Sequence, residues 1–171
     1  MEFQILYALQ ELHTPLLNQI MIFVTKLGDE GIFWIVLAVI LLLFKKTRKC
    51  GLTIAVSMLL CYLLGNMFLK NVIARPRPCS IDPSVALLIP TPGEFSFPSG
   101  HTLHGFTAAT AIFLHYKKPG IAAFILAALI AFSRMYLFVH FPTDILAGMI
   151  LGIGVALLVY MFIMKRNKKP V

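Results

Sequence analysis

An all-α polytopic membrane protein, a bundle of six transmembrane helices, is the fold class this sequence predicts, and three observations predict it. Of the 171 residues, 59% are hydrophobic and only 13% charged, against about 25% charged in a soluble domain. The apolar residues come in long runs separated by short polar links. The basic residues behind the net charge of +8 sit in clusters at the ends of those runs, as membrane flanks do. No basic face interleaved with stacking aromatics is present, so the bilayer and its lipids are the expected partners and nucleic acid is not.

In chain order, Met1 to Glu11 begins with an acid and lacks a basic, cleavable leader pattern, so it is expected to remain in the mature protein. Residues 3–27 are interrupted by Glu11, His13 and Pro15, which suggests an interfacial start and then a first span centred on Leu16 to Leu27. Gly28-Asp29-Glu30-Gly31 is a turn. Gly31 to Phe44 is a second, short apolar run, stopped by Lys45, Lys46, Arg48 and Lys49. Gly51 to Leu69 is the third, about 28 Å as a helix, which suits a hydrocarbon core of about 30 Å.

Lys70 to Pro98 follows, with six prolines and no helical periodicity, a long loop of the kind that usually carries function. Thr102 to Tyr116, Pro119 to Val139 and Asp144 to Met164 are the remaining spans, and Lys165 to Lys169 closes the chain with another basic cluster. With six spans both termini share one side. Ten of the fifteen cations then lie on that side, which is therefore expected to be cytoplasmic, with the long loop between spans three and four outside. One domain, 1–171, is expected, with its chemistry within 70–144. The cysteines Cys50, Cys61 and Cys79 lack metal or disulfide spacing and are expected to be filler.

Polar residues at three span ends coincide on that outer face. Lys70 ends the third span, and Arg77 follows in Arg75-Pro76-Arg77-Pro78. A proline biases the residue before it away from the α region, so the helix should end near Ala74 with the arginines on extended backbone, ready to fork onto oxyanions. Phe97-Pro98-Ser99-Gly100-His101 is a tight turn feeding a helix, which aims free N–H groups and the positive dipole end at Ser99, Gly100 and His101. The Ser99 hydroxyl either caps that helix or meets a ligand. In the third set, Ser133-Arg134 precedes His140 and Asp144. A carboxylate on one imidazole nitrogen raises the basicity of the other. Arg134 needs an anionic partner, either Asp144 or a ligand.

Lys70-x6-Arg77-Pro78, Pro98-Ser99-Gly100-His101 and Ser133-Arg134-x5-His140-x3-Asp144, in that order, resemble the three-part signature of the type 2 phosphatidic-acid phosphatase family of integral-membrane lipid phosphate phosphatases. The resemblance implies that His140 is the nucleophile, forming a phosphohistidine, with Asp144 holding its ring. It implies that His101 protonates the leaving group and then activates water, while Lys70, Arg77, Arg134, Ser99 and the Gly100 amide cradle the phosphoryl oxygens. No metal or other cofactor is implied. The expected substrate is a lipid phosphate or diphosphate: an isoprenyl diphosphate carrier, phosphatidylglycerol phosphate or phosphatidate.

Two other functions would use some of the same residues. A small channel or transporter would use Arg134 and Asp144 as path charges, but internal repeats are not apparent. A vanadate-binding haloperoxidase would share the histidine and cradle; six spans without a large soluble domain argue against it. His104 is expected mainly to pack, Asn66 to bond between helices, Gly148 and Gly152 to let helices approach, and Glu94, Phe95 and Phe97 to rim the site. Because the fourth span is only about 22 Å long, the site should lie recessed at headgroup depth, open sideways to the outer leaflet.

Overall fold

The computed structural model describes residues 1–166, and those residues are helical with no strand. The helices are α1 (Glu2–Gln10), α2 (Pro15–Lys26), α3 (Ile32–Leu43), α4 (Arg48–Cys61), α5 (Lys70–Ile73), α6 (Pro78–Ile81), α7 (Gly100–His115), α8 (Lys117–Tyr136) and α9 (Pro142–Arg166). A π-helical stretch, Tyr62–Leu69, joins α4 to α5. Three stretches are long and apolar enough to cross a membrane: Arg48–Ile81, Lys117–Tyr136 and Pro142–Lys165. Large apolar side chains such as Val39, Leu59, Ile125, Leu158 and Phe162 point outward from the bundle, the surface that lipid covers.

The central element is α7, buried on every side from Thr102 to Ile112. Its composition explains how: Gly105, Ala108, Ala109 and Ala111 let neighbouring backbones come close. On the facing helix α9 the approach is so tight that a Cβ on Gly152 would lie 2.6 Å from the Leu103 carbonyl oxygen. The Gly148/Gly152 surface therefore serves packing within this bundle.

The first 31 residues are tied to one end of the bundle. Glu2 bonds Arg75 and Thr143, Phe3 packs edge-on to Phe141, and Tyr7 stacks on Phe138. All of this is at the end of the bundle where α9 begins. Both ends of α2 stay there too: Asn18 bonds Tyr136, and Thr25 bonds Arg134. Glu11, His13 and Pro15 break the apolar run before α2, and the bonds of α2 to α8 hold it at this end. The packed body of the described bundle is formed by α3, α4 with its continuation to Ile73, α7, α8 and α9. Glu2 is bonded beside the start of α9, at Thr143.

The helix ends where the prolines predict, near Ala74, and the stretch beyond it holds one further helical turn. The helix persists to Ile73 and is ended by Ala74 at φ 47°, and Pro78, with φ already set for a first turn, starts α6. Of the basic tail, Asn167, Lys168 and Lys169 lie outside the described residues.

Candidate active site

At the end of the bundle where α7 and α9 start, a cavity of about 260 Å³ opens. Its wall includes six of the predicted site residues: Lys70, Arg77, Gly100, His101, Arg134 and His140. Four elements converge to make it. The helix end at Ala74 and the extended Arg75–Arg77 segment bring the first two, α7 begins with the next two, the last turn of α8 carries Arg134, and the link to α9 carries His140.

His140 is 1% exposed. Its Nε2 lies 3.0 Å from Arg77 Nη1, and its Nδ1 lies 3.4 Å from Ser96 Oγ and 3.6 Å from Asp144 Oδ2. An arginine can only donate, so the nitrogen facing Arg77 is the one with the lone pair, and the proton sits on Nδ1 toward the carboxylate. Burial pushes His140 well below the usual histidine range; Asp144 pulls it back up in part, and Arg77 and Arg134 press it further down. The ring is thus neutral at neutral pH, with the lone pair of Nε2 turned to Arg77 at the cavity wall.

Asp144 stands behind this ring, fully buried and off the cavity wall. Pro142 opens α9, so Asp144 sits one turn in, where its Oδ2 reaches back to the Phe141 N–H at 2.8 Å, the acidic half of a capping box. Ser96 donates to the same oxygen at 2.5 Å. Arg75 donates to Oδ1 at 2.7 Å, lies 4.0 Å over the Phe141 ring, and bonds Glu2 with its other nitrogen. Of the two partners expected for Arg134, Asp144 is therefore not the one. Arg134 instead donates to Thr25 Oγ1 at 2.7 Å, and its buried Nε has no protein partner among the described residues. Its guanidinium is turned into the cavity, with a donor to spare for an anion.

Two carboxylates join the cations. Glu94 bonds Lys70 Nζ, and its backbone carbonyl accepts from Arg77 Nε at 2.6 Å. The Lys70 ammonium holds the Glu94 carboxyl below its ordinary range. Asp29, from the turn after α2, lies 3.0 Å from His101 Nε2 and is likewise held low by that bond. Glu94 is thus on the cavity wall rather than a mere rim, and so are Asn66 and His104, each with a buried polar atom lacking a protein partner. Ser99 is placed differently from its expectation: its hydroxyl neither caps α7 nor borders the cavity, but accepts from Thr102 Oγ1 at 3.1 Å. Its amide donates to the Asp144 carbonyl at 3.1 Å, tying the start of α7 to α9. Cys50, Cys61 and Cys79 are free and buried, and none of them lines the cavity. Among the described residues no group of three His, Cys, Asp or Glu is arranged to hold a metal ion.

The residues missed by sequence reasoning are Arg75, Ser96, Asp29 and the inward role of Glu94. Arg75 shared the Arg-Pro signal with Arg77 and went unchosen. The others are ordinary polar turn residues whose partners are distant in sequence.

The PAP2 superfamily model matches residues 50–168. The chain belongs to the PAP2 superfamily. Within it, an undecaprenyl-diphosphatase of Sulfolobus acidocaldarius is 39% identical over 143 residues, covering 83% of this chain and 68% of that one. A PAP2-type phosphatidylglycerolphosphate phosphatase from Bacillus subtilis has a crystal structure that superposes with a TM-score of 0.77 at 30% identity, covering 97% of this chain and 85% of the other. The crystal structure of Aquifex aeolicus LpxE matches with a TM-score of 0.76 at 28% identity over 94% of both chains. This PAP2 protein is a membrane lipid phosphatase, a hydrolase of phosphoric esters.

Proposed function

We propose that the protein hydrolyses the diphosphate of an isoprenyl lipid carrier through a phosphohistidine on His140, with phosphatidylglycerol phosphate and phosphatidate as slower substrates. The observation that carries the chemistry is the neutral His140 Nε2 facing a cavity ringed by Lys70, Arg77 and Arg134. The undecaprenyl-diphosphatase relative favours the isoprenyl diphosphate.

In the first step Nε2 attacks phosphorus, the bond to the bridging oxygen breaks, and that oxygen takes a proton from His101. Lys70, Arg77, Arg134 and the Gly100 amide hold the three peripheral oxygens, with Ser99 bracing the helix start from behind. Fixed cations aimed at developing charge lower the barrier without reorganising. In the second step water attacks phosphorus, His101 takes the water proton, the P–N bond breaks, and inorganic phosphate leaves with His140 restored. Asp144 keeps the Nδ1 proton in place throughout and stabilises the positive charge that builds on the ring.

A lipid tail has a path. An apolar groove of about 350 Å³ between α3 and α4 shares Glu30, Tyr62 and His104 with the phosphate cavity. A chain lying in the groove keeps its headgroup in the cavity, which supports sideways entry from the bilayer. The basic clusters at 45–49 and 117–118 sit at the opposite end of the bundle from the site. We therefore assign the site to the extracytoplasmic face, the end of α9 to the cytoplasm and the N-terminus to the side of the site, with residues 1–171 acting as one unit.

Purified protein in detergent should release phosphate from undecaprenyl diphosphate in EDTA, and quenching during turnover should trap an alkali-stable, acid-labile phosphoenzyme. His140→Ala should abolish both. Full turnover in His140→Ala would rule out the covalent route.

A further inference from the structure

The turn after α2 is built against His101 as closely as the family's signature stretches are built against the cavity. Asp29 Oδ1 lies 3.0 Å from His101 Nε2. The turn could not come this near with an ordinary residue at 28: a Cβ on Gly28 would lie 2.6 Å from His101 Cδ2 and 2.7 Å from Ile130 Cγ2. At its two flanks the same segment holds other site residues. Thr25 accepts from Arg134 at 2.7 Å, and Glu30 is on the cavity wall. Gly31, at φ 67°, packs against His104. Residues 25–31 belong to the N-terminal segment tied to one end of the bundle, and all of its polar groups named here point to one place.

We propose that Asp29 is a positioning residue for His101, fixing its ring and supplying the counter-charge that lets it donate a proton to the leaving group. The proposal rests on the acid role given to His101 above. Its physical content is simple. An imidazolium facing Arg134 and Arg77 across one cavity is repelled by both, and the nearest anion to offset them is Asp29. Glu94, also on the cavity wall, is occupied by Lys70. A carboxylate on Nε2 also leaves Nδ1 as the nitrogen that exchanges protons. When the bridging P–O bond breaks, the electron pair stays on oxygen and the His101 N–H proton moves to it. Asp29 itself takes no proton and touches no substrate. It acts on the same ring again when water is deprotonated, stabilising the imidazolium that forms.

The reading separates a proton-donor defect from a folding defect, because only the former depends on the leaving group. A nitrophenolate departs without help, whereas an alkoxide needs the proton. The test measures kcat/KM, which reports the steps up to leaving-group departure, for a series of aryl phosphates and an alkyl phosphate in detergent. The proteins are the wild type, Asp29→Asn, Asp29→Glu and His101→Ala. Asp29→Asn should lose roughly 10- to 100-fold on the alkyl phosphate and little on p-nitrophenyl phosphate, steepening the dependence on leaving-group pKa in the same sense as His101→Ala. Asp29→Glu should recover much of the loss. An equal loss on every substrate, or no loss on any, would overturn the role of Asp29 while leaving that of His101 standing. A flat series in His101→Ala would overturn both. Should Asp29→Asn not accumulate, Asp29→Ala with added formate gives the same reading: restoration confined to poor leaving groups supports the proposal, and restoration of none sinks it.

Discussion

Replacing Arg75 by methionine tests the rear of the site, where the structure makes a demand the sequence did not. Asp144 is fully buried, and among the described residues Arg75 is the one Lys or Arg side chain bonded to it, at 2.7 Å and only a quarter exposed. Removing one member of a buried pair costs about 3–5 kcal/mol where nothing else compensates. Here Ser96 and the Phe141 amide still donate to the carboxylate, and Arg75 has some solvent, so the figure falls to roughly 2–3 kcal/mol. For a chain of this length that lowers the apparent Tm in detergent by roughly 5–10 °C. Losing the Oδ1 anchor also frees the carboxylate to rotate away from His140 Nδ1, and misplacing a reacting group by about 1 Å costs on the order of 100-fold in rate. Differential scanning fluorimetry and phosphate release on the same preparations give both numbers. Arg75→Lys, which cannot reach Asp144 and Glu2 together, should fall between. Wild-type Tm and wild-type kcat/KM in Arg75→Met would refute the idea that this arginine holds Asp144.

Ser96→Ala removes the hydroxyl bridging His140 Nδ1 and Asp144; kcat should fall about tenfold with KM little changed, and a pure KM effect would count against the bridge. Glu94→Gln removes a negative charge bonded to Lys70; after discounting for solvent, relief of about 1 kcal/mol should tighten vanadate inhibition about fivefold, and weaker inhibition would contradict this. The folded-state pKa of His140 lies below the unfolded value, so between them the unfolded chain binds more protons. Its contribution to stability is therefore present above about pH 6.5 and is lost as pH falls through that window. The drop in Tm on acidification should accordingly be smaller in His140→Ala, and an identical drop would argue against a buried neutral ring.

What the sequence made legible was local. The prolines at 76 and 78 announced the end of the helix and the extended arginines; the Ser99-Gly100 turn announced the start of α7; apolar run lengths located α7, α8 and α9 to within a few residues. Partner choice was not legible, because it depends on packing. The sequence left Arg134 with two possible partners, Asp144 or a ligand; α2, a segment with no strong signature, puts Thr25 on the arginine, and Arg75 takes the carboxylate. The course of α2 was itself obscure. A short apolar helix reads alike whether it crosses a bilayer or lies against one end of a bundle, and only its bonds to Tyr136 and Arg134 distinguish the two.

The spacing of Arg75 and Arg77 acquires a reason once the site is seen from behind. Residues two apart on extended backbone project to the same side, and each of these arginines precedes a proline that keeps it extended. His140 and Asp144, four apart across the start of α9, present an imidazole and a carboxylate to that same side. Arg77 then meets Nε2 at 3.0 Å and Arg75 meets Oδ1 at 2.7 Å, one guanidinium on each member of the pair. This division keeps the two charges from cancelling. Were Arg77 to bind Asp144 directly, the carboxylate would be satisfied and the nucleophile would lose both its orienting base and its phosphate clamp. With Arg75 neutralising the buried carboxylate and Glu2 backing Arg75 from the N-terminal helix, Arg77 is left, in the mechanism we propose, to follow the phosphoryl oxygens as Nε2 closes on phosphorus.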